Sequence, residues 1–298
     1  MPIIKACKLN KSFKGEAVLK NISFELENNQ IFGLIGPDGA GKSTLFRILC
    51  TLILADSGKA SIKGLDIEKD YKQIRTFLGY MPGNFSLYMD LSVRENLEFF
   101  AKIYNQNLRA NFKLIEPIYE ALAPFETRKA RALSGGMKQK LALCCTLIHK
   151  PSLLFLDEPT TGVDAVSRKE FWDILQILKE QMSIIVSTPY MDEASRCDKI
   201  ALMNKGEILR ISGVKELCAS FSKKLYAFYG IKGVYTSELV RLDMVDSCYL
   251  FGQCSHITLK ENARLEDLLA LLHTQLGTQI KCEHIEAGVE DCFMELVR

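Results

Sequence analysis

The chain has 298 residues, long for one domain and comfortable for two, and 48% of them are hydrophobic, enough for substantial cores and too many for a disordered chain. Its formal charge of +2 and its pI near 8.0 are too balanced to point to nucleic acid as a partner.

In chain order, strands are expected over 3–8 and 18–26, with a hairpin turn at Lys14-Gly15. The apolar run Ile31-Phe32-Gly33-Leu34-Ile35 reads as a further strand, and Leu45 to Cys50 reads as a helix. Between them lies Gly36-Pro37-Asp38-Gly39-Ala40-Gly41-Lys42-Ser43-Thr44, a complete phosphate-binding loop in the strand–loop–helix context that the pattern requires. Its glycines let backbone N–H groups turn toward a polyphosphate, and the helix N-terminus adds a favourable dipole. Lys42 can reach the β- and γ-phosphates and Ser43 can hold Mg²⁺, so the chain is expected to bind a nucleoside triphosphate.

Strands follow at 59–62 and 78–81. Ser92, with Glu95 three residues on, caps a helix to Tyr104 along which Leu97, Phe100, Ala101 and Tyr104 recur at helical spacing. A second helix over 111–123 contains Pro117, which should bend or break it, and a third starts at Ser134. The Arg128-Lys129-Ala130-Arg131 cluster reads as solvated surface. Leu153 to Leu156 and Ile184 to Val186 are short continuous apolar runs, the pattern of strands buried on both faces of a parallel sheet. Beyond Phe221 the order reads strand (224–229), short helix (237–241), hairpin (248–251 and 256–259), helix (265–272), strand (279–284) and helix (289–297). That βαββαβα order predicts a small ferredoxin-like α+β domain.

The ten cysteines form no CxxC pair, and Cys144 and Cys145 sit in an apolar helical context, so buried reduced thiols of a cytosolic protein are expected. No signal pattern and no membrane-spanning stretch is read; Leu141 to Ile148 is short and bounded by Lys140 and Lys150.

Leu153-Leu154-Phe155-Leu156 runs into Asp157-Glu158-Pro159. A buried strand ending there places Asp157 beside the phosphate loop, where it can orient Mg²⁺, and leaves Glu158 as general base toward the attacking water. Leu133-Ser134-Gly135-Gly136-Met137-Lys138-Gln139-Lys140 offers a second anion-seeking helix start, capped by Ser134 and bared by two glycines. It resembles the signature of ATP-binding cassette proteins. The resemblance extends over about the first 220 residues and implies a phosphate-loop α/β ATPase domain (1–220), with a helical subdomain at about 84–150 and an antiparallel β subdomain, followed by the accessory domain at 221–298.

The resemblance also implies a head-to-tail dimer with a second cassette subunit, in which Ser134, Gly135 and Gly136 cover the ATP held by the other copy. Thr161-Gly162-Val163-Asp164 is similar to the loop crossing that interface. Phe13 stands where the family stacks a ring on adenine, with a core position in an early strand as the competing reading. Met191-Asp192-Glu193-Ala194 and the tail Gly288–Phe293 look like exporter cassettes, which implies separate integral membrane permease subunits, received by the segment from Tyr80 to about Ala123 with Phe85 and Tyr88 exposed. It implies a place on the cytoplasmic face of the membrane.

Two positions depart from the family. Gly83 stands where a glutamine touches Mg²⁺ and the attacking water, and the neighbouring Asn84 points the other way along an extended chain. Pro189 stands where a histidine contacts the γ-phosphate, and none of the four histidines, His149, His256, His273 and His284, is nearby in sequence. ATP binding with slow turnover at the chain's own site is therefore expected, beside an alternative in which an active homodimer tolerates both changes and another in which the chain senses ATP with little hydrolysis.

Overall fold

The computed structural model describes residues 2–83, 87–231, 236–276 and 280–298. Asn84, Phe85 and Gln279, singled out above, lie outside the described residues. The chain divides into two compact units between Val214 and Lys215. This division falls before the boundary drawn at 220, because the helix that follows Val214 buries Leu217 and its carbonyl accepts from the Cys292 thiol at 3.6 Å.

In the first unit, β1 (Ile4–Phe13) and β2 (Glu16–Leu26) form the expected hairpin, with Lys14 and Gly15 both at positive φ in the turn. β3 (Ile31–Ile35) leads through the loop into α1 (Lys42–Leu49). β4 (Ser57–Ile62) and the two-residue β5 (Leu65–Asp66) complete an antiparallel sheet in the order β2-β1-β4-β5. Then come α2 (Tyr71–Phe77), β6 (Leu78–Met81), α3 (Val93–Ile103), α4 (Leu108–Tyr119) and α5 (Gly135–Leu147). β7 (Leu153–Asp157), α6 (Ala165–Leu178), β8 (Ser183–Thr188), β9 (Lys199–Asn204) and β10 (Glu207–Ser212) follow.

The central sheet has the order β10-β9-β3-β8-β7-β6, parallel except for the β9–β10 hairpin. Every residue of β3, β7 and β8 is buried, as their continuous apolar text requires of strands covered on both faces. The capping box is present: Glu95 N–H donates to Ser92 Oγ at 3.2 Å and Ser92 N–H to Glu95 Oε2 at 2.7 Å. α4 differs from expectation. It begins earlier, ends at Tyr119 and runs through Pro117, since a proline in the last turn costs only one hydrogen bond close to the helix end.

The phosphate-loop helix is seated by aromatic packing. Phe155 of β7 and Phe46 of α1 are buried and meet edge to face with ring centres 5.2 Å apart.

The second unit contains α7 (Val214–Ala219) except its first residue, β11 (Leu225–Tyr229), α8 (Thr236–Leu239), β12 (Val245–Phe251), β13 (Cys254–Leu259), α9 (Leu265–Leu276), β14 (Lys281–Ile285) and α10 (Val289–Leu296). Its antiparallel sheet has the order β12-β13-β11-β14, the strand arrangement of a ferredoxin-like sandwich. Phe228, Ile257, Leu268 and Leu272 form the centre of its core.

Cys144, Cys145, Cys50 and Cys197 are buried, and burial pushes all four thiols upward. Cys7 is exposed. Among the described residues no helix is long and apolar enough to cross a membrane.

Phe155→Ala removes the ring that seats α1 and should destabilise the first unit by about 3–5 kcal/mol. Urea unfolding of the full chain, followed through the fluorescence of its single tryptophan, the buried Trp172 of α6, measures this.

Candidate functional site

Three parallel strands end side by side at this site. β3 delivers the phosphate loop, and the Gly36 N–H donates to the carbonyl of Thr188, the last residue of β8, at 3.3 Å. Gly36 is packed so closely that an added Cβ would lie 2.1 Å from the Met203 carbonyl oxygen. Pro37, Asp38 and Gly39 are exposed, Ala40, Gly41 and Lys42 are buried, and Ser43 and Thr44 are half-buried. Gly41, at φ 101°, caps α1. The Lys42 ammonium, 3% exposed, donates to the carbonyls of Gly36 at 2.8 Å and Pro37 at 3.1 Å and lies 3.3 Å from Glu158 Oε1.

Asp157 ends β7 and is 4% exposed. Its Oδ1 accepts from Ser43 Oγ at 3.0 Å and from Ser187 Oγ at 2.6 Å, while the Tyr80 hydroxyl stands 3.5 Å from Oδ2. Burial, and then the charge of Asp157, hold the Tyr80 phenol well above its ordinary range, so it stays a neutral donor. Glu158 adopts φ 49°, an uncommon conformation for a residue with a side chain, and its N–H donates to Ser187 O at 3.0 Å and Ser187 Oγ at 3.1 Å. The sequence-predicted phosphate loop, Lys42, Ser43, Asp157 and Glu158 therefore come together.

Gly83 reaches the same place: a Cβ added there would sit 3.1 Å from the Asp157 carbonyl oxygen and 3.8 Å from the Glu158 Cβ. Pro189 follows Thr188 directly, and the side chain of that threonine is taken up by a carboxylate. Its Oγ1 donates to Glu193 Oε2 at 2.6 Å, Thr160 Oγ1 donates to Oε1 at 2.7 Å, and Arg168 Nε lies 3.7 Å from Oε1. This buried carboxylate ties the segment after Glu158 to the end of β8.

The Ser134–Gly136 signature belongs to a second cluster. Ser134 is exposed and caps α5, accepting from Met137 N–H at 3.3 Å. A Cβ at Gly135 would meet Gly162 O at 3.3 Å and one at Gly136 would meet Ser167 Oγ at 2.5 Å, so the two glycines allow α5 to lie against the Gly162–Ser167 segment. Asp164, also exposed, caps α6 by accepting from Ser167 N–H at 3.0 Å.

Phe13 ends β1 at 46% exposure, which rules out the core reading. Its strand is tied to the loop through Lys11, which pairs with Leu19; Val18 O and Leu19 line the space where a Cβ on Gly41 would fall. His149 is a half-buried core residue stacked on Tyr104 at 4.0 Å, and His256 pairs with Asp291 at 2.7 Å. Neither takes part in the loop.

Sequence reasoning passed over Ser187, Tyr80 and the Glu193 network. The available signal was a serine and a threonine ending an otherwise apolar buried strand, a place where a hydroxyl is costly unless it is bonded.

A profile described as "ABC transporter" matches residues 19–161. The chain is 30% identical over 285 residues to the linearmycin resistance ATP-binding protein LnrL of Bacillus subtilis, a match covering 94% of this chain and 90% of that protein. It belongs to the ABC transporter family. As an ABC ATP-binding domain it is an ATPase of the phosphate-loop fold. It is also 41% identical over 210 residues to the probable multidrug ABC transporter ATP-binding protein YbhF of Escherichia coli, covering 70% of this chain but 36% of that longer relative. In structure it resembles the dimeric ATP-binding cassette MJ0796 bound to ADP and Pi, with a TM-score of 0.64, 23% identity, and coverage of 70% of this chain and 98% of that one.

Lys42→Ala should weaken ATP binding by roughly 10- to 100-fold, the loss expected for charge-assisted phosphate contacts. Titration with a fluorescent ATP analogue checks this.

Proposed function

We propose that this chain is the ATP-binding subunit of an exporter and works with separate integral membrane subunits on the cytoplasmic face of the membrane. We further propose that it pairs with a second cassette, its own ATP site being the slower of the two. The exporter reading is supported by the names of its relatives, a probable multidrug protein and a linearmycin resistance protein. A nucleic acid is not a partner in this reading.

At the site, the phosphate loop from Gly36 to Thr44 binds the polyphosphate through its backbone N–H groups and Lys42. Phe13 supplies an exposed ring for the adenine, a contact worth about 1–3 kcal/mol. The Ser43 hydroxyl and the Asp157 carboxylate are hard oxygen donors bonded to one another at 3.0 Å, a pairing that fits Mg²⁺ and would hold it. When bound, that ion neutralises charge developing on the phosphates. Glu158 is the general base for the attacking water. The exposed Ser134, Gly162 and Asp164, side by side at the starts of α5 and α6, suit a face that completes the site of the other cassette.

One observation carries the asymmetry. Gly83 lies against Asp157 and Glu158 with no side chain to offer, and Pro189 has neither donor nor titratable group. Loss of a positioned acid–base partner typically costs on the order of 10²–10⁴ in rate, whereas phosphate binding rests on groups that are all present. Retention of Glu158 supports slow turnover over none.

In the assembled transporter, Ser134→Arg should abolish ATP turnover and Glu158→Gln should lower it by less than about half. If Glu158→Gln alone removes nearly all phosphate release, the asymmetric reading is wrong and an equivalent homodimer takes its place. The isolated full chain carrying both Gly83→Gln and Pro189→His should hydrolyse ATP faster than the parent, in a phosphate-release assay; no gain would mean that other features limit this site.

A further inference from the structure

We propose that Ser187 is a positioning residue of this site, its one hydroxyl orienting the Asp157 carboxylate for a metal ion while anchoring the backbone of Glu158. The proposal rests on the reading of Asp157 as metal ligand and adds a residue to it.

Ser187 is fully buried in β8, one strand away from Asp157 and paired with it in register. Its Oγ–H donates to Asp157 Oδ1 at 2.6 Å, the shorter of the two hydroxyl contacts to that oxygen. A hydroxyl has one proton and two lone pairs, so the same oxygen accepts the Glu158 N–H at 3.1 Å. Those two bonds divide the work. The first fixes the rotation of a carboxylate whose other neighbours are Ser43, in the position of a metal ligand, and a phenol at 3.5 Å. The second, with the Ser187 carbonyl, holds Glu158 in its left-handed conformation, and so fixes where its side chain leaves the strand.

Next along β8, Thr188 acts on the same strand end from the other side, through Glu193 to Thr160. The end of β8 therefore clamps the segment 157–160 at two points, although Pro189 supplies no polar side chain of its own. Hydrogen-bonded partners that orient a metal ligand typically account for 10–100-fold in metal affinity. An alanine at 187 leaves Oδ1 with Ser43 alone, the residue whose oxygen a metal ion would engage.

The test uses the full chain saturated with ATP and titrated with Mn²⁺, the free ion being followed by electron paramagnetic resonance. Ser187→Ala should raise the Mn²⁺ dissociation constant about 10-fold, while ATP binding measured in EDTA changes little. Ser187→Thr, which keeps the hydroxyl, should restore tight binding. Ser187→Cys, close in size with a weak donor, should fall between and serves if the alanine variant does not fold. Asp157→Asn is the control. If it weakens Mn²⁺ binding and Ser187→Ala does not, Ser187 has no such role although the metal site stands. If Asp157→Asn has no effect either, the metal reading fails and the role of Ser187 fails with it.

Discussion

One buried carboxylate holds the site together. Asp157 is 4% exposed at the end of a strand whose other residues are all apolar and buried. Removing a carboxylate from water is costly unless hydrogen bonds replace its hydration. Here they come from separate parts of the chain: Ser43 at the start of α1 and Ser187 in β8, with the Tyr80 phenol of β6 beside the second oxygen. Satisfying Asp157 therefore requires the phosphate-loop helix and the neighbouring strands to end at one level. The geometry that makes the burial tolerable is also the geometry that brings the phosphate loop against the acidic strand end.

Strain sits next to that carboxylate. Glu158 leaves the strand in a left-handed conformation, which costs on the order of 1–3 kcal/mol and persists only where the surroundings over-determine it. The carbonyl and hydroxyl of Ser187 both receive its N–H, and Lys42 meets its side chain at 3.3 Å. Two residues later Thr160 is bound to the buried Glu193, which also holds Thr188. The turn that presents Glu158 is thus fixed from both ends. These contacts keep both carboxylates in place without any side chain from Gly83 or any polar group from Pro189.

Much of this was legible in the text of the chain. The phosphate loop is contiguous, so its glycines, Lys42 and Ser43 could be placed without knowing the fold. The continuous apolar runs at 153–156 and 184–186 carry the pattern of strands covered on both faces, and they are such strands. The βαββαβα order of the last part corresponds to the sheet order found there. Less was legible where a segment is short or its role lies in a distant partner. The strand at Leu65–Asp66 has two residues, too few for any periodicity. The cap at Asp164 and the buried Phe171, Trp172, Leu175 and Leu178 marked α6 at helical spacing, a signal present but not used. Phe13 could be core or contact, because an aromatic residue at a strand end looks alike in both; only its exposure separates them.

The sequence alone determined that a triphosphate loop, an acidic strand end and a cassette signature share one chain, because each depends on residues next to one another. Tertiary structure decided how Asp157 is satisfied and what holds Glu158, because those partners lie 29 residues and more away along the chain and meet only when parallel strands align. It also decided that the signature glycines are needed for the contact of α5 with the Gly162–Ser167 segment. Local chemistry is written in order along the backbone, whereas the distances between hydroxyls and carboxylates are set by the register of the sheet.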